Sequence, residues 1–219
     1  MSHAKNNILN RLKAANAIEK SSAHLSYQPW GHEQNVTQDE KVRRFITAME
    51  ASHAEMHTIE ASQLESTIAR IVSDKACQTA AIGTDGEYIH AFRNGLAQVK
   101  VVEFERHIEE WKCELFNQID VGITHVLAGI ADTGALVLWP SEYEPRTLSL
   151  VPPKHIAVIK QSTLKCNFLE VMVEQEWAHH MPTNALLISG PSKTADIQQT
   201  LAYGAHGPSE LVVLLLTDQ

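Results

Sequence analysis

The sequence has no long apolar run. Its 219 residues are 44% hydrophobic, but its longest apolar stretch, residues 211–216, falls well short of the roughly 18 residues that a membrane-spanning helix needs. Residues 1–7 lack the apolar stretch and the small-residue cleavage site of a secretory signal. We therefore expect a protein without a membrane span that works in the cytoplasm.

Basic residues are also scarce. The chain has 18 Lys and Arg against 26 Asp and Glu, which gives a formal net charge of −8, and no basic block occurs. Binding to nucleic acid depends mainly on the neutralisation of phosphates by Lys and Arg. The composition therefore argues against a nucleic-acid partner.

Cysteine is too sparse for a metal cluster. The three cysteines, Cys77, Cys113 and Cys166, lie far apart, and no Cys-x-x-Cys occurs. These thiols alone can build neither a zinc site nor an iron–sulfur cluster. We expect no cofactor in this chain.

The twelve histidines do not form a metal-binding pattern. His53 and His57 would share a face of a helix, but the helical pattern fades there and the spacing fixes no third ligand. His179 and His180 are adjacent and precede Met181-Pro182. We predict surface histidines and no metal site.

The chain divides into an N-terminal segment, residues 1–36, and a compact domain, residues 37–219. A modest apolar stripe predicts a helical arm over residues 4–19, followed by a polar, turn-rich linker. The domain begins at Thr37-Gln38-Asp39-Glu40, a capping-box pattern typical of a helix start. Predicted strands then alternate with predicted helices, among them a helix over residues 164–173. This order favours a three-layer α/β fold with a mostly parallel sheet, in which residues 185–188 and 211–216 form central strands.

The densest group of chemically useful residues follows the first of these two strands. Gly190 and Pro191 form a turn, and a helix is predicted to begin shortly after it. A strand, a turn and a helix start together create an anion site, to which Ser192, Lys193 and Thr194 would add donors. The alternative is a well-capped helix with a solvated lysine. The pattern is not a phosphate-binding P-loop.

A second loop, Gly204-Ala205-His206-Gly207-Pro208, precedes the last strand. Its glycines permit unusual backbone angles and leave the imidazole little shielded. His206 is the candidate catalytic residue, as an acid or base or as an anion ligand when it is protonated. The alternative is a loop histidine between two turns.

Two further segments carry candidate binding residues. Asp132-Thr133-Gly134 is the triplet of aspartic proteases, which need two carboxylates; the chain has one such triplet, and its α/β pattern argues against a protease. A turn whose Asp caps backbone N–H groups is the alternative. Arg146 could bind a carboxylate in bidentate fashion, or it could pair with Glu142 or Glu144.

Taken together and in this order, the four segments resemble the LUD-domain family over residues 37–217. The matching motifs are Ile130-Ala131-Asp132-Thr133-Gly134, Arg146 through Pro152-Pro153-Lys154-His155-Ile156, Ser189-Gly190-Pro191-Ser192-Lys193-Thr194-Ala195-Asp196-Ile197, and Gly204-Ala205-His206-Gly207-Pro208. The chain departs from the family where Lys193 replaces a common Arg and Ala205 a common Val. Lysine cannot reproduce the planar fork of arginine.

The resemblance implies a fold similar to the NagB/RpiA/CoA-transferase group. It also implies a role in the bacterial oxidation of L-lactate to pyruvate, as the cluster-free member of a three-part assembly whose two partners hold iron–sulfur clusters or are rich in cysteine. The matched positions then become contacts for a small organic acid or another anion: Asp132, Thr133, Gly134, Arg146, Gly190, Ser192, Lys193, Thr194, Asp196, His206 and Gly207.

Two other functions stay open from the sequence. One is a stand-alone enzyme acting on a small phosphorylated or thioester-linked acid, with His206 or a neighbouring Glu or Asp as its nucleophile or base. The other is a non-catalytic binding or scaffold module. For the leading hypothesis we expect the two glycine-containing loops to meet beyond the carboxyl ends of the strands, where ligands bind in α/β sheets, with Asp132-Thr133-Gly134 nearby.

Overall fold

A computed structural model of the chain describes residues 5, 7–11, 36–105, 108–195 and 201–219. The chain divides into two units, Met1–Gln34 and Asn35–Gln219. In the first unit, residues 5 and 7–11 are helical; the rest of the arm predicted over residues 4–19 and nearly all of the linker lie outside the described residues. The domain boundary after residue 36 stays a prediction.

The described part of the second unit alternates helices and strands. The helices are α1 Gln38–Ala51, α2 Leu64–Asp74, α3 Ile89–Gly95, α4 Ile108–Asn117, α5 Thr147–Leu150 and α6 Phe168–Glu174. The strands are β1 Glu55–Ile59, β2 Thr79–Ile82, β3 Lys100–Glu103, β4 Val121–His125, β5 Ala128–Ile130, β6 Ala135–Leu138, β7 Lys154–Lys160, β8 Leu164–Lys165, β9 Leu186–Ile188, β10 Lys193–Ala195, β11 Leu201–Tyr203 and β12 Glu210–Leu216. None of the helices described is both long and apolar enough to cross a membrane.

A six-stranded sheet in the order β1-β12-β7-β4-β2-β3 forms the centre. All of its neighbouring strands run parallel. A four-stranded sheet, β8-β5-β6-β9, and the hairpin β10-β11 complete the strands that are described. The predicted three-layer α/β class with a mostly parallel sheet is confirmed, whereas likeness to the NagB/RpiA/CoA-transferase group stays a prediction.

Both faces of the central sheet are covered, as the apolar character of β12 requires. Helices α2 and α3 cover one face, where Ile68 and Phe92 pack with Val212 and Leu214. On the opposite face, Phe45 of α1 packs in one cluster with Leu136 of β6 and with Val213 and Leu215 of β12. The four-stranded sheet therefore shares this second face with α1.

Two predicted elements and one predicted strand position are wrong. The helix predicted over residues 164–173 is strand β8 followed by the shorter helix α6. Residues 193–195, expected to enter a helix, are strand β10, which pairs with β11. Strand β9, expected at the centre of the main sheet, pairs with β6 at the edge of the second sheet as described, and its Leu187 is 53% exposed. Short apolar runs do not distinguish these environments.

Helix α1 begins at the predicted cap. The Thr37 hydroxyl accepts a hydrogen bond from the Glu40 backbone N–H at 3.3 Å. Replacing Thr37 by alanine should lower the free energy of unfolding by about 1 kcal/mol, because this N–H loses its partner. Thr47→Ala in the same helix is the control, since its hydroxyl donates to the Arg43 carbonyl, which already accepts a helical hydrogen bond. Urea unfolding measures both, and equal losses would contradict the capping role.

Candidate functional site

The two glycine-containing loops predicted from the sequence meet in the structure. The Ser192 backbone N–H donates to the Pro208 carbonyl at 2.7 Å, and the Gly204 N–H donates to the Ser192 carbonyl at 2.9 Å. The antiparallel pairing of β10 with β11 explains this approach, because it folds the chain between the loops back on itself. Ser192 and His206 therefore belong to one site.

A cavity of about 250 Å³ lies between these loops and the central sheet. Helix α5 supplies Ser149 and Leu150, β7 supplies His155, and β12 supplies Leu211. The rest of the wall is formed by β9 and the loops, and comprises Leu187, Ile188, Ser189, Gly190, Ser192, His206, Gly207 and Pro208. The cavity is at the small end of ligand pockets, so its size suits a small molecule.

The cavity lies at the amino ends of the central strands and not, as expected, beyond their carboxyl ends. His155 is the second residue of β7 and pairs in register with Leu211, the second residue of β12. The loop of His206 leads directly into β12, so it must sit where that strand begins. Ser189 to Ser192 follow β9, which belongs to the second sheet and does not share the direction of the central strands.

Glycine is required at the entrance to the first loop. Gly190 has φ +147°, and a Cβ at this position would lie 2.7 Å from the carbonyl oxygen of Ser52. Both the backbone angle and the close approach exclude a side chain. Gly190 thus allows the loop to pass tightly over the end of α1 before it reaches the cavity.

Four of the predicted binding residues line the cavity: Gly190, Ser192, His206 and Gly207. Lys193 and Thr194 lie in β10, where they pair with Tyr203 and Ala202, and neither is part of the wall. Residues 193–195 form β10 and not the start of a helix, so they do not supply the helix N-terminus that the predicted anion site required. Asp196 lies outside the described residues.

The structure does not bring the other predicted residues to the cavity. Asp132-Thr133-Gly134 forms a turn between β5 and β6, on the side of α1. The Asp132 carboxylate lies 3.4 Å from the Arg44 guanidinium of that helix, and a Cβ at Gly134, where φ is +57°, would lie 2.6 Å from the Ala48 Cβ. Arg146 is exposed, and its carbonyl accepts a hydrogen bond from the Ser149 hydroxyl. These residues therefore lie against α1 or at the start of α5, away from the cavity.

His155 belongs to the wall. The sequence analysis included it in a matching motif but not among the expected binding residues. Its side chain is fully buried, and its Nε2 lies 2.8 Å from the Thr124 hydroxyl oxygen. Burial lowers the pKa of His155 to about 3, so the ring is neutral under physiological conditions. One sequence feature could have indicated its importance: His155 is a polar residue that directly precedes the apolar run Ile156 to Ile159 in β7.

The wall of the cavity combines polar and apolar side chains. The lining residues include three serines and two histidines, and none of those described is Lys, Arg, Asp or Glu. Such a surface can orient a small molecule through hydrogen bonds. Across the ranges that the structure covers, no group of three or more His, Cys, Asp or Glu could hold a metal ion.

The fold and the site define a three-layer α/β protein with a small cavity, lined by polar and apolar residues, at the amino ends of its central strands. The chain belongs to the LUD domain family, whose family model matches residues 42–216.

Two relatives and one solved structure are similar to this protein over most of its length. An uncharacterized protein of Neisseria meningitidis is 38% identical over 222 residues, which cover 97% of this chain and 93% of the relative. Lactate utilization protein C 1 of Bacillus mycoides is 25% identical over 218 residues, covering 94% and 92%. A crystal structure of a DUF162 family protein from Deinococcus radiodurans has a TM-score of 0.63 at 17% identity, covering 83% of this chain and 99% of that one. This last likeness concerns the fold alone.

Proposed function

We propose that this protein acts in lactate utilization, as the cluster-free subunit of a cytoplasmic bacterial system that oxidises L-lactate to pyruvate. Family membership and relatives named lactate utilization protein C support the role. The observation that carries the proposal is the meeting of the two motif-bearing loops around one small cavity. In this proposal the cavity binds a small organic acid.

The properties of the cysteines support placing the redox centres in two partner proteins. Cys77 and Cys166 are buried, and burial raises the pKa of both thiols. An iron–sulfur cluster is held by several cysteine thiolates, and the described residues contain no group of three or more His, Cys, Asp or Glu that could hold a metal ion. Cys113 is exposed and stands alone. We therefore propose that two iron–sulfur or cysteine-rich proteins carry the electrons that leave the substrate.

The alternative of a phosphorylated substrate receives less support from the cavity. A phosphate group carries more than one negative charge, and its burial requires cationic or densely arranged N–H partners. The described wall has no Lys or Arg. A small organic acid, with a single carboxylate, suits this surface better.

A deletion strain tests the role in lactate metabolism. Cells lacking this gene should fail to grow on L-lactate as the sole carbon source while they grow normally on pyruvate, because only the step between the two is lost. A plasmid copy should restore growth. Normal growth of the deletion strain on L-lactate, with no second gene of this family present, would refute the proposed function.

Purification of the tagged, full-length chain from lactate-grown cells tests the partners. We expect two iron–sulfur proteins to co-purify, and we expect the visible absorption of their clusters only in the separated fractions of those partners. The chain in isolation should be colourless. The purification conditions should be shown to preserve a weak control complex. Recovery of this chain without either partner under those conditions would contradict the proposed assembly.

A further inference from the structure

The strongest unexplained feature of the cavity is one nitrogen of a buried imidazole. His155 has no exposed surface, and its Nδ1 has no hydrogen-bond partner among the described residues. Its neighbours on the same face of β7 are Ala157 and Ile159, which belong to an apolar cluster. A buried polar atom without a partner destabilises a protein. Its presence at the wall of a cavity therefore points to a ligand.

The hydrogen bond at the other ring nitrogen indicates which proton the imidazole carries. A neutral imidazole has one N–H donor and one acceptor nitrogen. Thr124 is 2% exposed, and within the described part of the chain its hydroxyl has one partner, Nε2 of His155. If the hydroxyl donates to Nε2, its proton is satisfied and the ring proton resides on Nδ1. In the opposite tautomer the buried hydroxyl proton would have no acceptor.

His155 is one of the residues that line the cavity, and its ring orientation is fixed by the contact between Nε2 and Thr124. Nδ1–H is therefore the ring group left for a ligand atom. A neutral donor suits an oxygen of a carboxylate or carbonyl. It adds no positive charge, and the other described wall residues include no Lys or Arg that could neutralise a dianion.

We propose that Nδ1–H of His155 donates a hydrogen bond to an oxygen of a small monocarboxylic acid held in this cavity, and that this neutral donor selects monocarboxylates over phosphate. The identification of the acid as L-lactate or pyruvate rests on the proposed function. Ser189 and Ser192, on the facing loop, supply hydroxyl groups for the remaining oxygens. His155 is thus a binding residue that determines the class of ligand.

Two substitutions test the roles of the two ring nitrogens independently. In His155→Asn, the side-chain amide nitrogen falls near the position of Nδ1 and retains the donor toward the cavity. In His155→Gln, the longer amide reaches toward Nε2 and Thr124 and removes the donor from the cavity. His90→Gln is the matched control, because His90 is exposed on α3, which packs against the other face of the sheet.

Binding of pyruvate and L-lactate to the purified full-length chain tests the proposal by calorimetry. We expect His155→Gln to weaken binding at least about tenfold, as the loss of a hydrogen bond to a charged group requires. The affinity of His155→Asn should stay within about threefold of that of the parent chain, and the affinity of His90→Gln should equal that of the parent chain. Inorganic phosphate should bind at least about tenfold more weakly than pyruvate. Equal binding by His155→Gln, or preference for phosphate, would overturn the proposal.

Nitrogen NMR of the unsubstituted chain provides a test that does not depend on whether a variant folds. The His155 ring should carry its proton on Nδ1 at neutral pH, and the Nδ1–H signal should move when pyruvate is added. A proton on Nε2, or a His155 signal that stays in place, would refute the inference.

These outcomes are distinct from those for the proposed function. If the deletion strain cannot grow on L-lactate but pyruvate leaves the His155 signal unchanged, the role in lactate utilization stands and the binding role of His155 falls. If pyruvate moves the signal while the deletion strain grows normally on L-lactate, the cavity binds monocarboxylates for a different purpose.

Discussion

Replacing Gly122 by alanine is expected to lower the free energy of unfolding by about 3 kcal/mol or more, at the upper end for an overpacked core. Gly122 lies in β4, and a Cβ at this position would come within 2.0 Å of the Leu148 carbonyl oxygen and 3.2 Å of Pro152 Cγ. The obstructing atom belongs to the backbone of α5, so no side-chain rotation relieves the overlap. Either α5 or β4 must move.

The same displacement should damage the cavity. Ser149 and Leu150, the next residues of α5, form part of its wall, and Gly122 pairs in register with His155. We therefore expect Gly122→Ala to lose binding of small acids as well as stability. Ile123→Val, the control in the same strand, should cost about 1 kcal/mol, because it removes a methyl group where the first variant adds one. Urea unfolding that gives both variants similar stability would contradict this account.

The sheet was the most predictable part of the fold. Residues 211–216 are apolar at every position, and they became β12, the strand between β1 and β7. Alternation of strands and helices correctly indicated a parallel sheet with both faces covered. These features depend on burial and on periodicity, which act locally and are visible in a single sequence.

The second sheet could not be predicted because its strands have mixed environments. Residues 186–188 resemble a central strand in composition, but one side chain of β9, Leu187, is exposed and also lines the cavity. Residues 164 and 165 pair with β5, whereas the apolar pattern through residue 173 suggested one continuous helix. Both β8 and β9 pair with strands that are distant in the sequence. A local sequence pattern cannot predict such pairing.

For the site, the sequence predicted the loops but not their surroundings. The glycines marked the two loops because tight backbone approaches leave few alternatives to glycine, and Gly190 and Gly207 line the cavity. Lys193 was assigned to a helix start because a strand and a turn preceded it, yet it lies opposite Tyr203 in the antiparallel pair of β10 and β11. His155 was missed because its importance comes from burial beside Thr124, and the two residues are 31 positions apart.

The buried histidine should also make the protein sensitive to acid. Burial lowers the pKa of His155 from 6.5 to about 3. Between these values the unfolded chain binds a proton that the folded protein does not, so the free energy of unfolding falls as the pH is lowered from about 6.5 toward 3. The slope approaches about 1.4 kcal/mol per pH unit. Carboxylates such as Glu103, whose pKa is lowered by its hydrogen bond to Arg93, add their losses in a more acidic range.

Between pH 6.5 and pH 4.5, the unsubstituted protein should therefore lose about 2 to 3 kcal/mol more than His155→Gln, which has no proton to gain. Urea unfolding at several pH values measures the difference in slope, whatever the effect of the substitution at neutral pH. The free energy of unfolding of His90→Gln should depend on pH as that of the unsubstituted protein does, because the histidine that is replaced is exposed in the folded and unfolded states. Parallel curves for the parent chain and His155→Gln would mean that the pKa of His155 is not lowered in the folded protein, because the folded and unfolded states would then take up the proton over the same pH range. A ring that accepts a proton this readily would not act as a strictly neutral donor. This result would remove the reason for the site to prefer monocarboxylates over phosphate, so the stability curve also tests the chemistry of the cavity.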